Sequence, residues 1–66
     1  MNTEKVIAIM SRKGITTGDI AHAMNVTERT AARKIKGQSP ITCKQAEAVA
    51  NLLHMTDEDY LGVFFD

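Results

Sequence analysis

The 66-residue chain has no tryptophan, one proline, one cysteine and one tyrosine, and its 8 basic side chains are matched by 8 acidic ones. Each shortage excludes something. A lone Cys43 cannot form an internal disulfide, and Cys43, His22 and His54 show none of the paired ligand spacings of a zinc site. No apolar run approaches the ~20 residues of a membrane span, and the charged start Glu4-Lys5 leads into no long apolar segment of an export signal. The expected setting is reduced and cytoplasmic, without membrane contact. A chain this short buries only about 60% of the surface exposed by its unfolded form, so one domain over residues 1–66 must rely on helix packing or self-association.

The absence of net charge argues against a polyanionic partner until the charges are placed along the chain. Residues 1–26 carry Lys5, Arg12 and Lys13 against Glu4 and Asp19, a net of +1. Residues 27–44 carry Arg29, Arg33, Lys34, Lys36 and Lys44 against Glu28, a net of +4. Residues 45–66 hold Glu47, Asp57, Glu58, Asp59 and Asp66 with no lysine or arginine, a net of −5. Attraction to phosphate depends on the field within a Debye length of ~8 Å, so the middle segment can meet a polyanion while the acidic end points away.

What the chain does have is helix punctuation. Asn2 or Thr3 opens a first helix through Val6, Ile9 and Met10, and Gly14 suits its left-handed end. Thr16 to Asp19 forms a second N-terminus leading into Ile20, Ala21 and Met24, ended by Asn25. Thr27 caps a third helix through Lys36, stopped by Gly37. Thr42 with Gln45 caps a fourth carrying Ala46, Val49, Ala50 and Leu53, and Thr56 with Asp59 caps a short fifth. No stretch alternates with period two, so the expected fold is all-α, with alanines at 21, 23, 31, 32, 46, 48 and 50 allowing close helix approach.

The second and third helices, 17–24 and 28–36, are separated by only Asn25-Val26-Thr27, a spacing that forces a sharp crossing. Ala21 is small where the two touch, Val26 plugs the angle, and Ala31 and Ile35 face inward. Asp19-Ile20-Ala21, Asn25-Val26-Thr27 and Arg33-Lys34-Ile35-Lys36-Gly37 resemble the Xre/Cro family of helix-turn-helix regulators, the phage-repressor class. The resemblance extends from Gly14-Ile15-Thr16 through the fifth helix, with the helix-turn-helix unit at about 16–36. It implies a five-helix, lambda-repressor-like DNA-binding domain and a Cro-like transcription regulator of phage or mobile-element type. Departures from the family pattern fall at Asn25, where glycine is usual; at Thr17, where a longer glutamine bonds phosphate; and at Ala31 and Ala32. Met10 and Ile35 stand where some members bury an Arg-Glu pair.

In such a unit the third helix enters the major groove by its N-terminal half. At 100° per residue Glu28, Arg29, Ala32 and Arg33 span an arc of roughly 140°, which makes them the candidate base-contacting residues. An arginine can grip guanine O6 and N7 and Glu28 can accept from cytosine N4, each worth ~1–3 kcal/mol of discrimination. Glu28 equally suits the first turn of any helix through the macrodipole. Thr17 and Gly18, at a helix N-terminus, and Lys36, Gln38, Ser39 and Lys44 are the candidate phosphate contacts.

One such domain reads few base pairs, so a homodimer on double-stranded operator DNA is expected. All three aromatics lie between residues 60 and 65. Leu61 and Phe64 are expected in the core, and Tyr60, Val63, Phe64 and Phe65 are the candidates for a protein interface. A second expectation, of a different class, is a protein-binding modulator or antirepressor that pairs with another repressor, suggested by the neutral total, the short side chains at Thr17 and Ala32, and the acidic, aromatic end. His22, His54 and Cys43 form no catalytic or metal constellation, and no glycine-rich phosphate loop is present. No enzyme activity, cofactor, metal or small-molecule substrate is expected.

Overall fold

A computed structural model describes residues 1–65, so Asp66, the last acid in the C-terminal charge count, lies outside the described residues. The described residues form five α-helices and no strand: α1 (Thr3–Lys13), α2 (Thr17–Met24), α3 (Glu28–Ile35), α4 (Cys43–Leu52) and α5 (Asp57–Phe64). Each begins at a residue whose side-chain oxygen accepts from the backbone N–H three residues on: Asn2 from Lys5, Thr16 from Asp19, Thr27 from Thr30, Thr42 from Gln45 and Thr56 from Asp59. Asn2 rather than Thr3 therefore caps α1. At α2 and α4 the bond is reciprocated, with the Thr16 N–H donating to the Asp19 carboxylate at 3.0 Å and the Thr42 N–H to the Gln45 amide oxygen at 3.1 Å. α3 ends one residue earlier than expected, with Lys36 as its C-cap.

α2 packs against both α3 and α4, while α1 packs against α5 and α3. The core draws Val6, Ile9 and Met10 from α1, Ile20, Ala21 and Met24 from α2, Ala31 and Ile35 from α3, Val49 from α4, then Leu53 and Val63. Ala21 and Ala31 are both buried, as the close approach of α2 and α3 requires. No polar or charged residue is buried among the described residues, and Met10 and Ile35 lie within this apolar interior. No desolvation cost of a buried ion pair arises there.

α5 is rotated from the expected phase. Leu61, expected in the core, is 57% exposed, whereas Val63, expected on an interface, is completely buried. α5 docks on α1 with Val63 in the shared core beside Val6 and Ile9, and the Asn2 N–H donates to the Val63 carbonyl at 2.6 Å. Tyr60 and Phe64 are left half-buried on that side and Phe65 is 67% exposed. A second long-range tie is the Lys13 ammonium, which donates to the Leu53 carbonyl and, at 3.5 Å, to the His54 carbonyl, so the end of α1 caps the end of α4.

Candidate functional site

The connection between α2 and α3 sets how the basic segment is displayed. Asn25 takes a left-handed conformation, φ 57°, and its N–H donates to the His22 carbonyl while the Val26 N–H donates to Ala21. This closure ends α2 in one residue, and Thr27 caps α3 two residues later. Half-buried Val26 packs against the core. α3 is thereby fixed with Ala31 at 0% and Ile35 at 7% exposure on one side. Glu28, Arg29 and Arg33 are exposed on the other, with Ala32 half-buried between them.

Glu28 does not stand clear of the surface. A Cβ built on Gly18 would lie 2.9 Å from Glu28 Oε1, so the carboxylate leans on the first turn of α2. Two expected roles, base contact for Glu28 and phosphate contact for Gly18, thus fall on residues that touch each other. Asp19 adds a second carboxylate at the same helix end, held below the usual carboxylate range first by the Thr16 N–H it accepts from, then by the Thr16 hydroxyl and by His22. Negative charge at the N-terminus of α2 is already supplied by the protein's own acids.

The remaining phosphate candidates spread around the molecule. Lys36 is the exposed C-cap of α3, and Gly37 follows it with φ 76°. Gln38 and Ser39 line a shallow hollow with Met1, Lys34 and Phe64. Lys44 lines a different groove, beside Ala23, Met24 and Asn25 at the end of α2. Lys34 is tied locally, its ammonium donating to the Pro40 carbonyl at 2.6 Å. Among the described residues Arg29, Arg33, Lys36 and Lys44 remain as the exposed cations of the middle segment.

Next to the hollow lined by Gln38 and Ser39 the Tyr60 ring packs on those of Phe64 and Phe65, with centroids 5.0 and 5.8 Å away. Phe65 borders a small apolar pocket with Ile41, Cys43, Ala46 and Phe64. Leu61, absent from the interface expected from sequence, belongs to this exposed apolar surface in place of Val63. The spacing of Leu61 and Phe65, one helical turn apart, is the signal that identifies the pair. No group of three or more histidine, cysteine or acidic side chains able to hold a metal occurs among the described residues. No described helix is long and apolar enough to cross a membrane.

The class defined by these observations is an all-helical, five-helix domain. No protein-family profile matches the chain, and no solved structure does. Among curated proteins the chain is similar to a cyanate hydratase of Methylobacillus flagellatus, 30% identical over 57 residues. That match takes in 86% of this chain but only 39% of the enzyme, so the chain spans well under half the length of this relative.

Proposed function

We propose that the domain is a sequence-specific DNA-binding transcription regulator, Cro-like and non-enzymatic, in which α2 and α3 act as a helix-turn-helix. Bound as a homodimer over operator DNA, with one α3 in each of two successive major grooves, it would exclude polymerase from the promoter. The observation that carries this reading is the two-sided character of α3: Ala31 and Ile35 hold it against the core while Arg29 and Arg33, one turn apart, are exposed beside half-buried Ala32. An exposed arginine pair beside a small side chain suits close approach to base edges, with guanine O6 and N7 as acceptors. Lys36 and Lys44 supply phosphate contacts at the rim. Glu28, exposed and resting beside Gly18, joins Arg29, Arg33 and the Ala32 methyl as a reader once it swings outward.

The test is selection of duplexes from a random library, followed by anisotropy titration against the selected sequence at several salt concentrations. Arg29→Ala and Arg33→Ala are each expected to cost about 1–3 kcal/mol and to relax specificity at one base position. Lys36→Ala should weaken all duplexes evenly and reduce the salt slope by about one. Absence of any selected sequence, or variants that bind like the wild type, overturns the reading, as does consumption of cyanate by the purified chain.

A second reading is suggested by the exposed Leu61 and Phe65, apolar surface that contact of α3 with DNA leaves uncovered. In that reading the bundle works by protein contact, as a modulator or antirepressor paired with another repressor. Light scattering after size exclusion separates the two, since a monomer that forms a 1:1 complex with a repressor and selects no duplex supports the second.

A further inference from the structure

The outward face of α5 carries an arrangement that DNA binding does not use. At 100° per residue Asp57, Leu61 and Glu58 fall within an arc of about 100°, on the side opposite the buried Val63, and Phe65, the C-cap, turns its ring onto Tyr60 at the end of this face. Leu61 and Phe65 are the two most exposed large apolar side chains of the described residues, at 57% and 67%. Beside Phe65 the apolar pocket with Ile41, Cys43 and Ala46 has a volume of about 130 Å³. That is close to the ~150 Å³ cavity that takes up a benzene ring, so one apolar side chain fits. Across Tyr60 a second groove is lined by Glu47 and Asp57 with Ala50 and Met55. Apolar floor and acidic frame therefore belong to one continuous surface.

We propose that this α4–α5 face docks a basic amphipathic segment of a partner protein, which sets apolar side chains on Leu61 and Phe65 and lysines or arginines on Glu47, Asp57 and Glu58. The proposal rests on the second reading, protein contact, and gives that reading a partner class. Charge complementarity selects the occupant. Residues 45–66 contain no lysine or arginine, so twofold pairing of this face with itself would bring the acids of both copies together. The α3 face of a second copy offers cations but only the Ala32 methyl as apolar surface, which leaves Leu61 and Phe65 uncovered. Lys5, whose ammonium lies over Gly62 at the edge of the stripe, leaves the three carboxylates in excess. A helix with apolar side chains along one stripe and cations at its borders meets both requirements.

The probe is a fluorescein-labelled synthetic helix of leucines and lysines at helical period, titrated by anisotropy with the full chain beside its glutamate-for-lysine counterpart. Saturable binding of the lysine peptide alone is expected. It should weaken about tenfold or more in Leu61→Ser/Phe65→Ser and, separately, in Glu47→Gln/Asp57→Asn/Glu58→Gln, and stay unchanged in Arg29→Ala/Arg33→Ala. Because Leu61 and Phe65 are exposed, the serine variant keeps its helical circular dichroism, and a folded variant that still binds like the wild type overturns the proposal. So does equal binding of the glutamate peptide, or a wild-type dimer that the serine variant dissolves. A repressor complex that is insensitive to the serine variant would sink this proposal while leaving the second reading in place.

Discussion

Thr16 and Asp19 show how much of α2 depends on one pair of side chains. The Asp19 carboxyl titrates below its ordinary range because the folded chain donates the Thr16 N–H to it. A folded-state pKa below the unfolded one means that the carboxylate's contribution is complete above the ordinary carboxylate range and is lost as pH falls through the depressed folded value. Urea midpoints of wild type and Asp19→Asn should therefore differ most at neutral pH and converge as pH falls through the depressed folded value. Thr16→Ala should cost about 1 kcal/mol at neutral pH, since the Asp19 N–H loses its acceptor. Both residues are legible in the sequence, because a cap is a local device whose partners sit three positions apart. Leu61 and Val63 were not. Five of the six residues from Tyr60 to Phe65 are apolar, so composition alone gives α5 no polar side from which to read its phase. Its rotation is settled by packing on α1, almost the whole chain away. The contact of Glu28 with Gly18 was equally hidden, since it joins two helices rather than two neighbours.

At the level of elements, four helix ends close in the same way. Gly14, Asn25, Gly37 and His54 all have positive φ, and each is followed by an N–H that donates back to the helix, from Ile15 to Met10, Val26 to Ala21, Gln38 to Arg33 and Met55 to Ala50. Three of these residues announce the conformation by type, and the sequence reading placed helix ends at all three. His54 does not, because a histidine at φ 51° is held there by the surrounding bonds rather than by its own preference. His54→Gly should relieve that cost and raise stability by about 1 kcal/mol, read as a rise in melting temperature of roughly 4–8 °C. Asn25→Ala, at the connection that orients α3, should move the melting temperature the other way. The similar closure at all four ends explains why helix order and boundaries could be read from sequence to within about a residue, while their mutual rotation could not.

For the whole molecule, the radius of gyration of 10.3 Å is slightly below the ~10.8 Å typical of a chain this long. So small a domain has a stability of only about 3–10 kcal/mol. Leu53 is fully buried where α4 ends and the Lys13 ammonium arrives, so Leu53→Ala should cost about 3 kcal/mol and leave a substantial unfolded fraction in thermal melts followed by circular dichroism. Exposed apolar positions such as Leu61 should tolerate alanine within about 0.5 kcal/mol. The two poles of charge read from the sequence correspond to the exposed face of α3 with its arginines and the α4–α5 face with its carboxylates, and among the described residues no ionisable side chain is buried.

The hydrogen bond from Asn2 to Val63 joins positions near the two ends of the chain, whereas α2 packs with its successors α3 and α4. Chain entropy makes such a closure late to form and early to loosen. The domain therefore has a clasp, α1 against α5, fastened over a more local three-helix unit. Local opening of the clasp would bare Val6 and Val63 while the turn that aims α3 stays folded. A ligand that grips only the closed form of α5 would suppress this opening, so the ordering of α1 would report, from the far end of the sequence, whether α5 is occupied.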